Sequence, residues 1–364
     1  MTATPSTEPR RRSRLRARLL LIAGSALATL LLCEVAARVF DWRQEVRAMA
    51  AWQQLGEQKL KPPTDADTNL AHTIRLSPHP RIVYELIPNL EFRYFGARCR
   101  TNSHGFRSPE IPVQKPPGAF RVVVLGDSVA FGHGVEQDEV FAHQLGLLLR
   151  ERHPGRAIDV INTGVSGYNT AMEVETLVQK GLAFGPDLVV YHFVGNDLDL
   201  PNLIWTPQDF TRLDRSFLWD KMARAFGDRD PWREKPWGLA PEENGRFVYR
   251  EGEVAPQYRD MVGIDMFERE IGRLLALGRE HGFAVLVTSH GAPPLAIGAA
   301  LRRAGAPIEP AWERVDAWLR ERAAPRFAGS ELAISATDPH PRAIVHRWLA
   351  EQLAARIERD GMLR

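Results

Sequence analysis

The chain has 364 residues, enough for one large domain or two ordinary ones with a sizeable core, which excludes a minimal scaffold stapled by disulfides or metal. Charged residues make up 25% and the hydrophobic set 44%, the proportions of an ordered globular chain. The formal charge is +2, but six arginines and one glutamate fall in residues 1–18, so the remaining 346 residues hold 41 basic against 44 acidic side chains. A slightly acidic body offers no electrostatic footprint for phosphate backbones, and nucleic acid is not an expected partner. Cys33 and Cys99 by themselves build neither a disulfide framework nor a four-ligand zinc site.

Arg10, Arg11, Arg12, Arg14, Arg16 and Arg18 form a basic tail, residues 1–18, ahead of an apolar run over 19–33 that continues past Glu34 through Val35, Ala36 and Ala37. As a helix, 19–37 spans about 28 Å, close to the thickness of a bilayer core. Residues 19–39 therefore read as a transmembrane anchor or a signal peptide. The cations before the span hold the N-terminus in the cytoplasm, which puts everything past about residue 40 on the periplasmic or extracellular side. A cleaved signal peptide shares the basic and apolar regions, but its cleavage site is poor: Arg38 follows Ala36 and Ala37, and the next small-x-small triplet, Ala48 to Ala50, lies well beyond the run. Cys33 reads as an apolar filler of the membrane helix, apart from Cys99.

Residues 40–118 are irregular and rich in proline, a spacer followed by a loop-rich extension; Thr101, Asn102, Ser103, His104, Gly105, Phe106 and Arg107 suit a compact turn that packs on the next domain. From 119 to 360 the rhythm changes. Short β-branched runs at 120–125, 157–162, 187–193, 283–289 and 331–336 predict strands, and helices are expected at 136–153, 170–182, 265–281, 309–323 and 341–360. Apolar strands alternating with amphipathic helices predict an α/β fold, a three-layer αβα sandwich around a flavodoxin-like five-stranded parallel sheet, with the site beyond the carboxyl ends of the strands. Residues 201–261 are too long for an ordinary connection. This insertion holds Trp205, Trp219, Trp232 and Trp237 with Phe210, Phe217, Phe247 and Tyr249, either as a small satellite core or as a wall facing substrate.

Each expected strand end carries a polar or glycine cluster. The first ends in Gly126, Asp127, Ser128, where an exposed hydroxyl suits a nucleophile or a helix cap. The second leads into Asn162, Thr163, Gly164, Val165, Ser166, Gly167, whose glycines let a backbone N–H approach a ligand. After the third come Gly195, Asn196 and Asp197, offering a neutral amide donor to a developing oxyanion. The last ends in Asp338, Pro339, His340, a histidine able to act as general base with a carboxylate two positions earlier to orient it.

In this order, over about residues 120–356, the four clusters resemble the blocks of the SGNH, or GDSL, hydrolase family. The turn at 101–107 and the basic anchor are similar to the N-terminal part of its membrane-tethered bacterial members. The resemblance implies that Ser128 is the nucleophile, His340 the base and Asp338 its partner, with the N–H groups of Ser128 and Gly167 and the amide of Asn196 as the oxyanion hole. Many members place the aspartate three residues before the histidine, where this chain has Thr337; Asp-x-His resembles polysaccharide acetylation relatives. Gly164 competes with Gly167 for the oxyanion role, and the Val-Ser-Gly context favours Gly167. His133, His192, His290 and His346 read as structural or supporting groups. No metal-ligand spacing appears, and serine hydrolysis needs no metal or other cofactor.

The expected function is a membrane-tethered serine esterase that hydrolyses or transfers short acyl groups, O-acetyl first among them, on an envelope carbohydrate or other small-molecule or polysaccharide ester. The alternatives are a lipase or lysophospholipase, which the Trp-rich insertion beside a bilayer would suit, and a catalytically idle carbohydrate-binding or assembly module of the same fold.

Overall fold

The computed structural model describes residues 8–56, 68, 70–201, 210–225, 240–241, 247–248, 256–324 and 326–363. In chain order the elements begin with one continuous helix, α1 (Glu8–Gly56). Two short antiparallel pairs follow, β1 (Ile74–Leu76) with β2 (Tyr84–Leu86) and β3 (Glu91–Tyr94) with β4 (Ala97–Arg100). Then come β5 (Phe120–Leu125), α2 (Ser128–Phe131), α3 (Phe141–Arg152), β6 (Ile158–Asn162), α4 (Thr170–Thr176), β7 (Leu188–His192) and α5 (Phe217–Ala225). The chain continues through β8 (Ala240–Pro241), β9 (Phe247–Val248), α6 (Gly263–His281), β10 (Ala284–Thr288), α7 (Leu295–Ala304), β11 (Ile308–Glu309), α8 (Trp312–Glu321) and α9 (Ala343–Arg359). It divides into two compact units, one drawn from Met1–Trp52 and Trp205–Pro231, the other from Gln53–Ile204 and Trp232–Arg364.

The larger unit is built on a five-stranded sheet in the order β11, β10, β7, β5, β6, every neighbouring pair parallel. Alternation along β5 sends Val122 and Val124 to one core, shared with Leu145 and Leu149 of α3 and Leu349 and Leu353 of α9. Val123 and Leu125 face the other, shared with Val174 of α4, Phe267 and Ile271 of α6 and Leu301 of α7. Helices thus cover both faces, and the apolar runs of β5 and β7 follow from burial on both sides. The winding reverses between β5 and β7, so a crevice opens beyond their carboxyl ends.

The fifth strand is not where the sequence pointed. It is the two-residue β11, paired with Val287 and Thr288, whereas 331–336 is a loop joined to its surroundings by a single bridge, Ala333 to Pro341. Serine hydroxyls explain the loop: Ser330 Oγ accepts from Leu332 N, and Ser335 Oγ from Thr337 N and Asp338 N, which takes those donors from a ladder. Helix α7 was also hidden, behind Gly291, Pro293 and Pro294 and by its own Gly298. Cys33 is exposed, Cys99 buried, and neither is bonded to the other.

In the smaller unit, Arg16–Gln44 of α1 is long and apolar enough to cross a membrane. Of the aromatic insertion, Phe210, Phe217 and Trp219 lie in the described part of this unit, while Trp205, Trp232, Trp237 and Tyr249 fall outside the described residues.

The start of β5 is held by Arg121, whose side chain is fully buried. Its guanidinium donates to the carbonyls of Pro112, Val113 and Phe184 and to Asp159, while its backbone N–H meets Asp187. Arg121→Met leaves the Phe184 carbonyl in the interior without its donor and unties the loop at 112–114, and it is expected to cost about 3 kcal/mol, read as a thermal midpoint several degrees lower by calorimetry. An unchanged midpoint would show that the loop at 112–114 does not depend on this side chain.

Candidate active site

Between β5 and α2 the chain turns at Gly126, where a Cβ would sit 2.7 Å from the Ala130 Cβ and 3.1 Å from the His192 carbonyl oxygen. Asp127 caps the short helix, accepting from Val129 N, and Ser128 opens it. At the far end of α2 Gly132 takes a left-handed conformation, and buried Arg107 donates to the carbonyls of Phe131, Gly132 and Val135. The expected turn at 101–107 therefore does pack on the next segment. Asn102 Oδ1 accepts the N–H groups of His104 and Phe106, which aims Arg107 at the helix that carries Ser128.

The loop after β6 leans on the same turn. Asn162 Nδ2 donates to Ala130 O at 2.6 Å and Val165 N to Gly126 O at 3.3 Å. A Cβ on Gly164 would meet the Phe131 nitrogen at 2.6 Å, and its own N–H already donates to Asn162 Oδ1. Gly164 is thus consumed by close approach, whereas Gly167, at φ 78°, leaves its N–H without an acceptor among the described residues. After β7, Asp197 accepts from Val194 N and Tyr191 Oη, both at 2.9 Å, fixing the turn that carries Asn196. Asn196 Nδ2 donates to Asp127 Oδ2 at 2.8 Å, leaving its second N–H uncommitted.

The loop before α9 completes the group. His340 Nε2 lies 2.8 Å from Ser128 Oγ, and His340 Nδ1 lies 2.6 Å from Asp338 Oδ1. With a carboxylate on Nδ1 the ring keeps its proton there, so Nε2 presents a lone pair to the serine hydroxyl. Asp338 Oδ1 also accepts the His340 backbone N–H at 3.1 Å, so the short Asp-x-His spacing closes a tight loop that still orients the ring. Burial opposes the charge of Asp338, but the His340 backbone and ring donors outweigh it and hold the carboxyl below its ordinary value.

Ser128, Asn196, Asp338 and His340 therefore meet, while Gly167 stays in the adjoining loop. His133, read from the sequence as a structural or supporting group, stands five residues past Ser128 between two glycines. Its ring stacks on His340 at 3.8 Å, tilted by 10°, and its Nε2 lies 3.3 Å from Asp338 Oδ2. Burial, then the neighbouring His340, pushes His133 down to about 4, so it is a neutral donor to the carboxylate. His133, Asp338 and His340 are the group of ligand-type atoms close enough to hold an ion among the described residues. Their nearness follows from one carboxylate shared by two parallel rings. His290 and His346 are pushed down by burial to about 4 and about 3, and His192 lower than its ordinary value, which keeps all three neutral.

A cavity of about 310 Å³ opens beside Ser128, Asn196 and His340, walled by Val194, Val315, Leu319 and Phe327, with His290 and Asp316 as polar lining.

The sequence model of the GDSL-like Lipase/Acylhydrolase family matches residues 124–330. No curated protein matches the chain. Among solved structures it is similar to TesA, at 17% identity and TM-score 0.38 over 66% of this chain and 98% of that one. An acetyl xylan esterase, AlAXEase, is similar at 12% identity and TM-score 0.40, covering 65% and 100%. A lipase/acylhydrolase from Enterococcus faecalis matches at 14% identity and TM-score 0.38, covering 66% and 96%.

Beneath these residues lies an acidic group outside their hydrogen-bond network. Glu173 of α4 is buried with neither carboxyl oxygen partnered among the described residues; burial first, then Asp197 and Asp127, raises its pKa well above the ordinary 4.5. Asp197 has donors and Glu173 has none, so the proton belongs on Glu173. A group whose folded pKa is raised gives its full stabilising contribution below its unfolded value and loses it as pH climbs toward the folded one. Glu173→Gln is therefore expected to gain thermal stability relative to the native chain at about pH 8.5, and to gain less at about pH 5. An equal gap at both would mean that Glu173 is ionised in the folded state.

Proposed function

The chain belongs to the GDSL-like lipase/acylhydrolase family, its match extending over more than half the length, and on that footing we propose a serine esterase with Ser128 as nucleophile, His340 as base and Asp338 as its orienting partner. The observation that carries this reading is the unbroken run of hydrogen bonds from Ser128 Oγ through the His340 ring to Asp338. His340 Nε2 takes the hydroxyl proton as Ser128 Oγ adds to the ester carbonyl, and Asp338 stabilises the imidazolium that forms. The Ser128 and Gly167 N–H groups and the free N–H of Asn196 receive the oxyanion; His340 then protonates the departing alcohol, and water releases the acyl group by the same route. No step requires a metal or cofactor.

The chain is read as an anchor over residues 19–39 and a catalytic body over 119–360, held on the periplasmic or extracellular side because Arg14, Arg16 and Arg18 precede the span. That address supports O-acetyl esters of envelope carbohydrate as the substrate, with the sugar in the cavity and His290 and Asp316 available to hydroxyl groups. A second reading rests on the cavity wall. About 310 Å³ exceeds the need of an acetyl group, and Val194, Val315, Leu319 and Phe327 suit an acyl chain, as in a lipase or lysophospholipase.

Two tests follow. Ser128→Ala and His340→Ala are each expected to lower kcat on p-nitrophenyl acetate by a factor on the order of 10⁵, with Asp338→Asn retaining more, because nucleophile and base act as a unit; near-native turnover in His340→Ala would move the base elsewhere. Across p-nitrophenyl esters, kcat/KM falling from acetate to octanoate keeps the acetyl reading. A rise of about tenfold for every two added methylenes replaces it with the long-chain one.

A further inference from the structure

The described part of the insertion is fastened to α1 along one stripe, residues 34, 38 and 41, spaced i, i+4, i+7. Glu34 is the acidic residue within the apolar run, and both its oxygens are used: Oε1 accepts from Arg38 Nε and Phe217 N, Oε2 from Ser216 Oγ and Leu218 N, at 2.8 to 3.0 Å. A carboxylate from α1 thus caps the N-terminus of α5, where the first N–H groups have no partner of their own. Arg38 donates to the carbonyls of Phe210 and Arg215 and lies 4.7 Å over the Phe217 ring. Lys221 binds Asp41 at 2.6 Å and lies over Phe40.

These attachments fix the depth of the segment. If the hydrocarbon begins at Leu19, a core of about 30 Å ends some twenty residues on, near Arg38. Residues 210–225 then lie where α1 leaves the bilayer. Phe217 turns inward and stacks on Phe210, while Trp219 and Met222, three apart on the helix, and Leu213 stay exposed, at 67%, 41% and 94%. Phe40 and Trp42, just past Arg38 on α1, are exposed as well, and Lys221 of α5 lies over the Phe40 ring, so exposed apolar side chains stand at this level on both elements. Arg212, Arg215 and Lys221 of this segment are paired with Asp214, Asp220 and Asp41, so its own cations are already engaged.

We propose that residues 210–225 are an interfacial element whose Leu213, Trp219 and Met222 enter the boundary between headgroups and acyl chains of the bilayer that α1 crosses. This rests on reading α1 as a retained anchor. Tryptophan suits that depth, with an apolar ring and one N–H donor. The clasp also explains how Glu34 is tolerated so close to hydrocarbon: its charge is met by four donors, two of them from α5.

The test uses the full chain in phosphatidylcholine vesicles containing phospholipid brominated either near the headgroup or near the chain end. The difference in emission between the native chain and Trp219→Phe isolates Trp219. That difference is expected to be quenched, and more by the shallow bromine than by the deep one. Glu34→Ala, which removes the cap and leaves the anchor apolar, is expected to lose most of the quenching. Protein that survives an alkaline carbonate wash with Trp219 untouched by either lipid would overturn the interfacial role and leave the anchor intact. Release of the protein by the wash would overturn the anchor itself. A Trp219 signal that ignores bromine but changes on dilution in detergent would give this face to a second copy of the chain and overturn the proposal.

Discussion

The hydrogen bond between Ser128 and His340 joins residues 212 positions apart, and most of the larger unit serves to keep it at 2.8 Å. One end depends on the turn after β5, where Gly126 lets the chain pass against Ala130 and His192, Asp127 caps α2, and Arg107 holds the helix from behind. The other end depends on a loop with no regular structure, made definite by Ser335, Asp338 and the backbone bonds Ile334 N to His340 O and Arg342 N to Leu332 O. The sheet brings the two ends together by ending β5 and β7 at the same crevice.

Electrostatics around that bond is asymmetric. Above it, Asp338 is kept ionised by two histidines, one stacked on the other, and the neutral His133 adds a donor without adding charge. Below it, Asp127 is tied to Asn196, and the buried Glu173 and Asp197 share so little solvation that a proton stays with them. A carboxylate can serve the imidazolium in one place and be neutralised in another because partners, not residue type, set the balance.

Much of this was legible in the sequence. Four of the five strands are apolar runs whose burial on both faces leaves a plain signal, and Ser128, Asn196 and His340 each stand just past a place where a strand or its loop must end. What escaped has physical reasons. β11 is two residues long between prolines at 307 and 310, and its pairing with β10 is a tertiary fact. The run at 331–336 has strand composition, but its serines bond the local backbone instead. His133 was legible only as a structural or supporting group, because its partner Asp338 lies 205 residues away. The clasp of Glu34 on α5 spans more than 180 positions, and no local period encodes it. Phe210 and Phe217 were read as part of a satellite core or a substrate wall; they stack on each other beside α1, within the smaller unit.

The central claim is that a covalent acyl intermediate forms on Ser128, and it can be seen directly. Mix the full chain in detergent with p-nitrophenyl acetate, quench in acid within the burst of nitrophenol release, digest, and locate the added acetyl group by mass spectrometry. The account requires the acetyl group on the peptide containing Ser128, appearing with the burst and vanishing as substrate is exhausted. An acetyl group carried on another residue while hydrolysis proceeds, or turnover with Ser128 unmodified throughout, would contradict it.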